Sequence, residues 1–117
     1  MGHLSTHVLD TANGRPAQGM AFELWRVKPE GAERILAAIT NEDGRTPGAL
    51  LEGPSYMPGT YELVFMVGEY YAAVGNRQTE PPFLDVVTLR FTMAEADGHY
   101  HVPLLCTPWS YTTYRGS

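Results

Sequence analysis

Two segments of this chain alternate apolar and polar residues with period two, and that pattern limits the possible folds more than any other feature. Tyr61, Leu63, Phe65 and Val67 interleave with Glu62, Val64 and Met66, while Val87, Leu89, Phe91 and Met93 interleave with Thr88, Arg90 and Thr92. Successive side chains of a strand point to opposite faces, so each segment reads as a strand with one richer, core-facing side. The other segments follow suit. Leu4 to Asp10, Met20 to Lys28 and Arg34 to Thr40 read as strands, and two more begin near His99 and Tyr111. Turn chemistry separates them. Asn13-Gly14-Arg15-Pro16 combines a glycine free to take positive φ with a proline that cannot donate in a ladder. Asp43-Gly44 reads as a hairpin signal directly after the third strand. Residues 47–60 are rich in Pro and Gly and predict a loop with one short edge strand. Glu69 to Gly75 is the only helical candidate, with Gly75 and Asn76 able to cap its C-terminus. Seven or eight short strands with regular turns predict a β-sandwich whose core includes Leu63, Phe65, Val87, Leu89 and Phe91.

Composition narrows the class further. The 117 residues predict one domain, 1–117. An apolar fraction of 44% against 18% charged residues argues for a folded chain. Eight basic and thirteen acidic residues give a net charge of −5, with Lys28 the only lysine and no basic cluster. Nucleic acid and anionic membranes are therefore not expected partners. Residues 1–20 lack the basic start and apolar run of a secretory signal, and no apolar stretch approaches membrane-spanning length. Cys106 is the only cysteine, so no intrachain disulfide can form, and a reducing cytoplasm is the expected compartment.

The chemistry-bearing residues are few. Period two puts Ser5, His7 and Leu9 on one face, opposite Leu4, Thr6 and Val8. The residue pattern alone favours a surface or hydrogen-bonded structural histidine at position 7, and a solvated one at His3. His99 and His101 share a face and could chelate a metal if another ligand arrived. No Cys pair, His-Glu-x-x-His helix or carboxylate cluster supports that. The other reading makes one of them a general base, because neutral imidazole takes a proton from water near pH 7. Arg45, taken alone, is an exposed arginine at a turn exit. There is no Gly-x-Ser-x-Gly elbow and no phosphate-cradling glycine loop. The run Trp109 to Tyr114 is strand-like, so Tyr114-Arg115-Gly116-Ser117 should be held by a sheet. A tethered phenol, guanidinium, hydroxyl and carboxylate read as part of a polar site.

Four segments in order resemble the 5-hydroxyisourate hydrolases of the transthyretin-related protein family. They are Leu4-Ser5-Thr6-His7-Val8-Leu9-Asp10 with Gly14-Arg15-Pro16-Ala17, then Asp43-Gly44-Arg45, then His99-Tyr100-His101-Val102-Pro103-Leu104-Leu105, and finally Ser110 to Ser117. The terminal tetrapeptide and the His-Tyr-His-Val-Pro run are the specific parts. The resemblance implies an all-β, transthyretin-like (prealbumin-like) sandwich of two four-stranded sheets with one short helix. It implies a homotetramer, a dimer of dimers with clefts at the dimer–dimer interface, and a site lined by His7, Arg45, His101 and Tyr114 to Ser117. Transthyretin itself, a carrier of the same fold, lacks the first-strand histidine, the arginine after the turn, the His-Tyr-His run and the Tyr-Arg-Gly-Ser end. Cys106 and Trp109 depart from the family's usual residues and flank the motif without replacing any part of it.

The implied activity is hydrolysis of the cyclic amide of 5-hydroxyisourate. The implied roles are His7 as base toward water and His101 as orienter or proton relay, with these two exchangeable. Arg45 is implied as the oxyanion partner, with Ser117, Tyr114, Arg115 and Gly116 fixing the ring. No metal or cofactor is expected, because opening an activated lactam moves no electrons. The alternatives are a transthyretin-like protein that holds a small ligand without turning it over, and a metal-binding protein using His7, His99 and His101.

Overall fold

The computed structural model describes residues 1–117. In chain order the elements are β1 (His3–Ser5), β2 (Val8–Asp10), β3 (Arg15–Pro16), β4 (Ala21–Lys28), β5 (Gly31–Ile39), β6 (Leu51–Glu52), β7 (Gly59–Met66), α1 (Val67–Val74), β8 (Val86–Met93), β9 (His99–His101), β10 (Leu104–Cys106) and β11 (Tyr111–Thr112). One layer is the antiparallel sheet β5-β4-β7-β8. Its two alternating strands pair directly, with Leu63 opposite Leu89 and Phe65 opposite Val87. Tyr61, Leu63, Phe65, Val87, Leu89 and Met93 are buried on the inner face, and Phe91 is only partly covered. Burying each such side chain contributes about 1.5–3 kcal/mol. Phe22 from β4 stacks on Phe65 with ring centroids 5.4 Å apart.

The second layer differs from the expected four uninterrupted strands. It consists of β6-β1-β9 and β11-β10-β2-β3. The segment expected as one strand, Leu4 to Asp10, breaks at Thr6-His7, and the His99 to Leu105 segment breaks opposite it at Val102-Pro103. Proline cannot donate, so the ladder must lapse there. The parallel register nevertheless continues across the gap, from Ser5 beside His101 to Val8 beside Leu104. Three bonds hold it closed. Val102 N donates to Ser5 O at 2.9 Å, Leu104 N to His7 O at 3.0 Å, and the buried Thr6 hydroxyl to Val102 O at 2.7 Å.

Two further departures have local causes. The Asp43-Gly44 turn is not a hairpin. It lies on the crossover from β5 in one layer to β6 in the other, and β5 pairs instead with β4 through the turn at 29–30. The strand expected through Tyr114 ends at Thr112, and pairing resumes only as a bridge between Gly116 and His101. The helix starts two residues earlier than expected and ends as expected. Gly75, at φ 86°, donates to Tyr71 O and Ala72 O.

Candidate active site

The break in the second layer is where the polar side chains gather. Leu4, Thr6, Val8 and Asp10 face inward and are buried, so His3, Ser5 and His7 share the opposite, half-exposed face. His101 and the more exposed His99 lie beside them on β9, again opposite a buried Tyr100. All four histidines of the chain thus lie along one face of two paired strands. The rings of His7 and His101 are 6.4 Å apart, and those of His3 and His99 stack at 4.3 Å.

Each of the two central imidazoles is oriented by one nitrogen. His7 Nε2 lies 2.8 Å from Asp43 O. A carbonyl only accepts, so Nε2 carries the hydrogen and, in the neutral ring, Nδ1 is left as the base. His101 Nδ1 lies 2.8 Å from the Ser5 hydroxyl, which leaves Nε2 outward. Burial pushes the His101 pKa below the ordinary histidine value, and electrostatic repulsion from Arg45, with smaller contributions from His7 and His3, pushes it further down. His101 is therefore neutral near pH 7.

The turn that presents Asp43 O also presents Arg45. It is welded to the fold on both sides. Val8 N donates to Gly44 O at 2.8 Å, and the buried Thr40 hydroxyl donates to Ala17 O at 2.6 Å. Gly44, at φ 73°, is required here, because a Cβ would collide with the Val8 carbonyl oxygen. The exposed Arg45 guanidinium has no ion-pair or hydrogen-bond partner within the chain and lines a cleft of about 310 Å³ with His3, Ser5, Thr46 and Glu52.

The terminal tetrapeptide divides. Gly116 N donates to His101 O at 2.7 Å and His101 N to Gly116 O at 3.2 Å, so the backbone at Gly116 lies against the His101 ring. A Cβ on Gly116 would come within 3.3 Å of that ring. Arg115 turns the other way. Its guanidinium stacks 4.2 Å over the Tyr100 ring, bonds His99 O at 3.4 Å and lies 3.8 Å from Glu95. Tyr114 and Arg115 line a separate cleft of about 390 Å³ with Thr88, Phe91, Val102 and Tyr111. The structure thus brings His7, Arg45, His101 and Gly116 together, and sends the Tyr114 and Arg115 side chains to the other cleft rather than to the His7 and His101 rings. No three His, Cys, Asp or Glu side chains converge as metal ligands.

Three contributors are not evident from motif reading. Ser5 shares the face of His7 by period two, which is a usable signal. Asp43 acts only through its backbone carbonyl. Asn41 stands three residues before Gly44, the Asn-x-x-Gly spacing of a type I turn.

A two-layer sandwich with a polar, solvent-open face where its parallel strands are interrupted defines a transthyretin-type protein with a candidate active site. Residues 4–116 match the HIUase/Transthyretin family, and the chain belongs to that family. It is 54% identical over 117 residues to the 5-hydroxyisourate hydrolase of Pseudomonas aeruginosa, covering all of this chain and 93% of that one. Among solved structures it is similar to the Klebsiella pneumoniae 5-hydroxyisourate hydrolase, with a TM-score of 0.81 and 31% identity over the whole of both chains. It is also similar to an (S)-allantoin synthase, with a TM-score of 0.94 and 48% identity over 99% of this chain and 44% of that one.

Proposed function

We propose that the chain, 1–117, is one hydrolase domain that opens the cyclic amide of 5-hydroxyisourate with water, giving 2-oxo-4-hydroxy-4-carboxy-5-ureidoimidazoline. The observation that carries this reading is the convergence of two oriented imidazoles with an unpaired guanidinium, in a chain 54% identical to a protein named for that reaction. His7 takes a proton from water at Nδ1, because Nε2 is committed to Asp43 O. The hydroxide adds to the ring carbonyl, and charge develops on its oxygen. Arg45 stabilises that charge, being fixed by its turn and free of any carboxylate. The carbon–nitrogen bond then breaks, and the leaving nitrogen takes the proton back from imidazole. His101, held neutral, orients the ring or relays that proton. Gly116 gives the backbone close approach, and Ser117 hydrogen-bonds the substrate. Nothing in this sequence of steps calls for a metal or cofactor.

The working unit in this reading is a homotetramer in the cytoplasm. Support comes from the unpaired outer edges of β8 and β11, where Val86 and Tyr111 are exposed; strand pairing between subunits would cover such edges. The free thiol of Cys106 suits a reducing compartment. The test is to generate 5-hydroxyisourate from urate with urate oxidase and follow the decay of its ultraviolet absorbance. The chain should accelerate that decay. An unchanged decay returns the protein to the non-catalytic binding class.

A further inference from the structure

We infer that Asn41 is the positioning residue of this site, its side-chain carbonyl setting His7 and Arg45 together through one turn. The inference rests on the proposed roles of those two residues. Asn41 Oδ1 accepts from Asp43 N at 2.9 Å and from Arg45 N at 3.1 Å. Its backbone closes the same turn, since Asn41 N donates to Arg45 O at 2.8 Å and Gly44 N donates to Asn41 O at 2.9 Å. The side-chain oxygen therefore fixes the amides of the two residues that matter, Asp43, whose carbonyl orients His7, and Arg45, which bears the guanidinium, while the Asn41 backbone oxygen holds the Asp43–Gly44 peptide itself. Asn41 is itself anchored, because Thr40 immediately before it is buried and bonded to both Ala17 O and Met20 N. Thr40 fixes the root of the turn and Asn41 fixes its tip.

The side-chain nitrogen Nδ2 of Asn41 makes no hydrogen bond within the chain, so of the side chain only the acceptor matters. That separates two variants. Asn41→Asp keeps an acceptor at the same place, whereas Asn41→Ala removes it. With the acceptor gone, the turn has no internal brace for either amide, and Asp43 O and Arg45 both drift. Misplacement by about 1 Å costs up to roughly a hundredfold in rate. The expected loss in Asn41→Ala is therefore tenfold or more in kcat, with KM changed far less, because the affected groups act on charge that develops during reaction.

The experiment joins kinetics to nitrogen-15 NMR of the His7 imidazole in the full chain. The intact protein and Asn41→Asp should both show the Nε2–H tautomer and similar kcat. Asn41→Ala should show mixed tautomers and reduced kcat. A retained tautomer with unreduced kcat in Asn41→Ala overturns the inference, as does loss of the tautomer in Asn41→Asp, which carries the test even where the alanine variant does not fold. His7→Ala and Arg45→Ala serve as the separate control. Full activity in both removes the roles proposed for them, while the tautomer measurement still reports whether Asn41 sets the ring.

Discussion

Asp10 and His7 stand three residues apart on the same strand pair, and their surroundings treat them in opposite ways. Asp10 is fully buried, and both its oxygens are saturated. Oδ1 accepts from Ala12 N, Asn13 N and the Tyr71 hydroxyl, and Oδ2 accepts from Asn13 Nδ2 and the Tyr70 hydroxyl, at 2.7–3.1 Å. The Tyr71 hydroxyl also reaches Cys106 O at 2.7 Å, so the cluster ties α1 to both β2 and β10. In the histidine cluster each central ring spends one nitrogen on its own orientation and keeps the other, and Arg45 is free. A saturated buried cluster has no bonding capacity left for a ligand and serves stability. A half-saturated, half-exposed one is oriented yet still has groups to offer.

The sharpest way to break this comparison is to remove Asp10. Asp10→Ala takes the Asp10 acceptor from five donors; the buried Tyr70 phenol is left without a partner, while the Tyr71 hydroxyl keeps Cys106 O. The unpaired buried phenol costs about 1–3 kcal/mol and the other lost bonds to a carboxylate add to it, so the total loss should be roughly 3–5 kcal/mol. Denaturant unfolding at fixed protein concentration measures it, and the rate per folded molecule should hold. A drop under about 1 kcal/mol would show that the network contributes little. Burial alone would raise the Asp10 pKa, but the hydrogen bonds from Tyr70, Asn13 and Tyr71 outweigh it and hold the carboxyl below its ordinary value. The folded state thus binds this proton less tightly than the unfolded chain. The stabilisation is present above about pH 4 and is lost as pH falls through the folded value.

The converse changes are His7, Arg45 or His101 to Ala. Each should lower kcat by roughly a hundredfold or more and leave the unfolding midpoint nearly unmoved, because these side chains sit outside the core. Turnover by the intact chain should also survive exhaustive chelation. Restoration of a chelated, inactive protein by zinc would replace the proposed chemistry with a metal site. Deleting residues 114–117 should likewise leave a folded, nearly inactive chain. Arg115→Ala should cost less, about tenfold at most, since exposed cation–π contacts contribute only about 0.5–1 kcal/mol. A larger loss for Arg115→Ala than for the deletion would mean that Arg115 does more than pin the chain end to Tyr100.

The two clusters were not equally legible in the sequence. His7, Arg45 and His101 are visible from motif resemblance, and period two alone puts His7 on the outward face. The alternation of Tyr61 to Phe65 and Val87 to Leu89 marks the core correctly. The strand breaks at Thr6-His7 and Val102-Pro103 follow from pairing two distant segments, which local pattern cannot report; only Pro103 hinted at them. The split of the terminal tetrapeptide has the same origin. Antiparallel pairing of Gly116 with His101 puts Arg115 on the opposite face, and that register exists only once the two segments meet. The Asp10 cluster draws on three separated stretches of chain, so no single segment carries its signature.

The finest test concerns His3, which lies on the histidine face without a motif to mark it. Its charge is the smallest of the influences that lower the His101 pKa, after burial, Arg45 and His7. Replacing it with glutamine removes that influence, so protonating His101 becomes slightly easier and its pKa rises. At pH 8 His101 is neutral in both proteins, and the rate should match that of the intact chain. On the acid side His3→Gln should lose activity at a slightly higher pH, because a protonated His101 can no longer accept. NMR titration of the His101 ring reads this shift without relying on turnover. The same titration in Arg45→Gln should show a larger upward shift, since the Arg45 charge acts more strongly, yet His101 should stay below the ordinary histidine value because burial persists. Identical titration curves in all three proteins would mean that these side chains are electrostatic strangers sharing a surface. A graded rise from intact to His3→Gln to Arg45→Gln would mark them as one coupled face, with His101 kept neutral by its neighbours as well as by its depth.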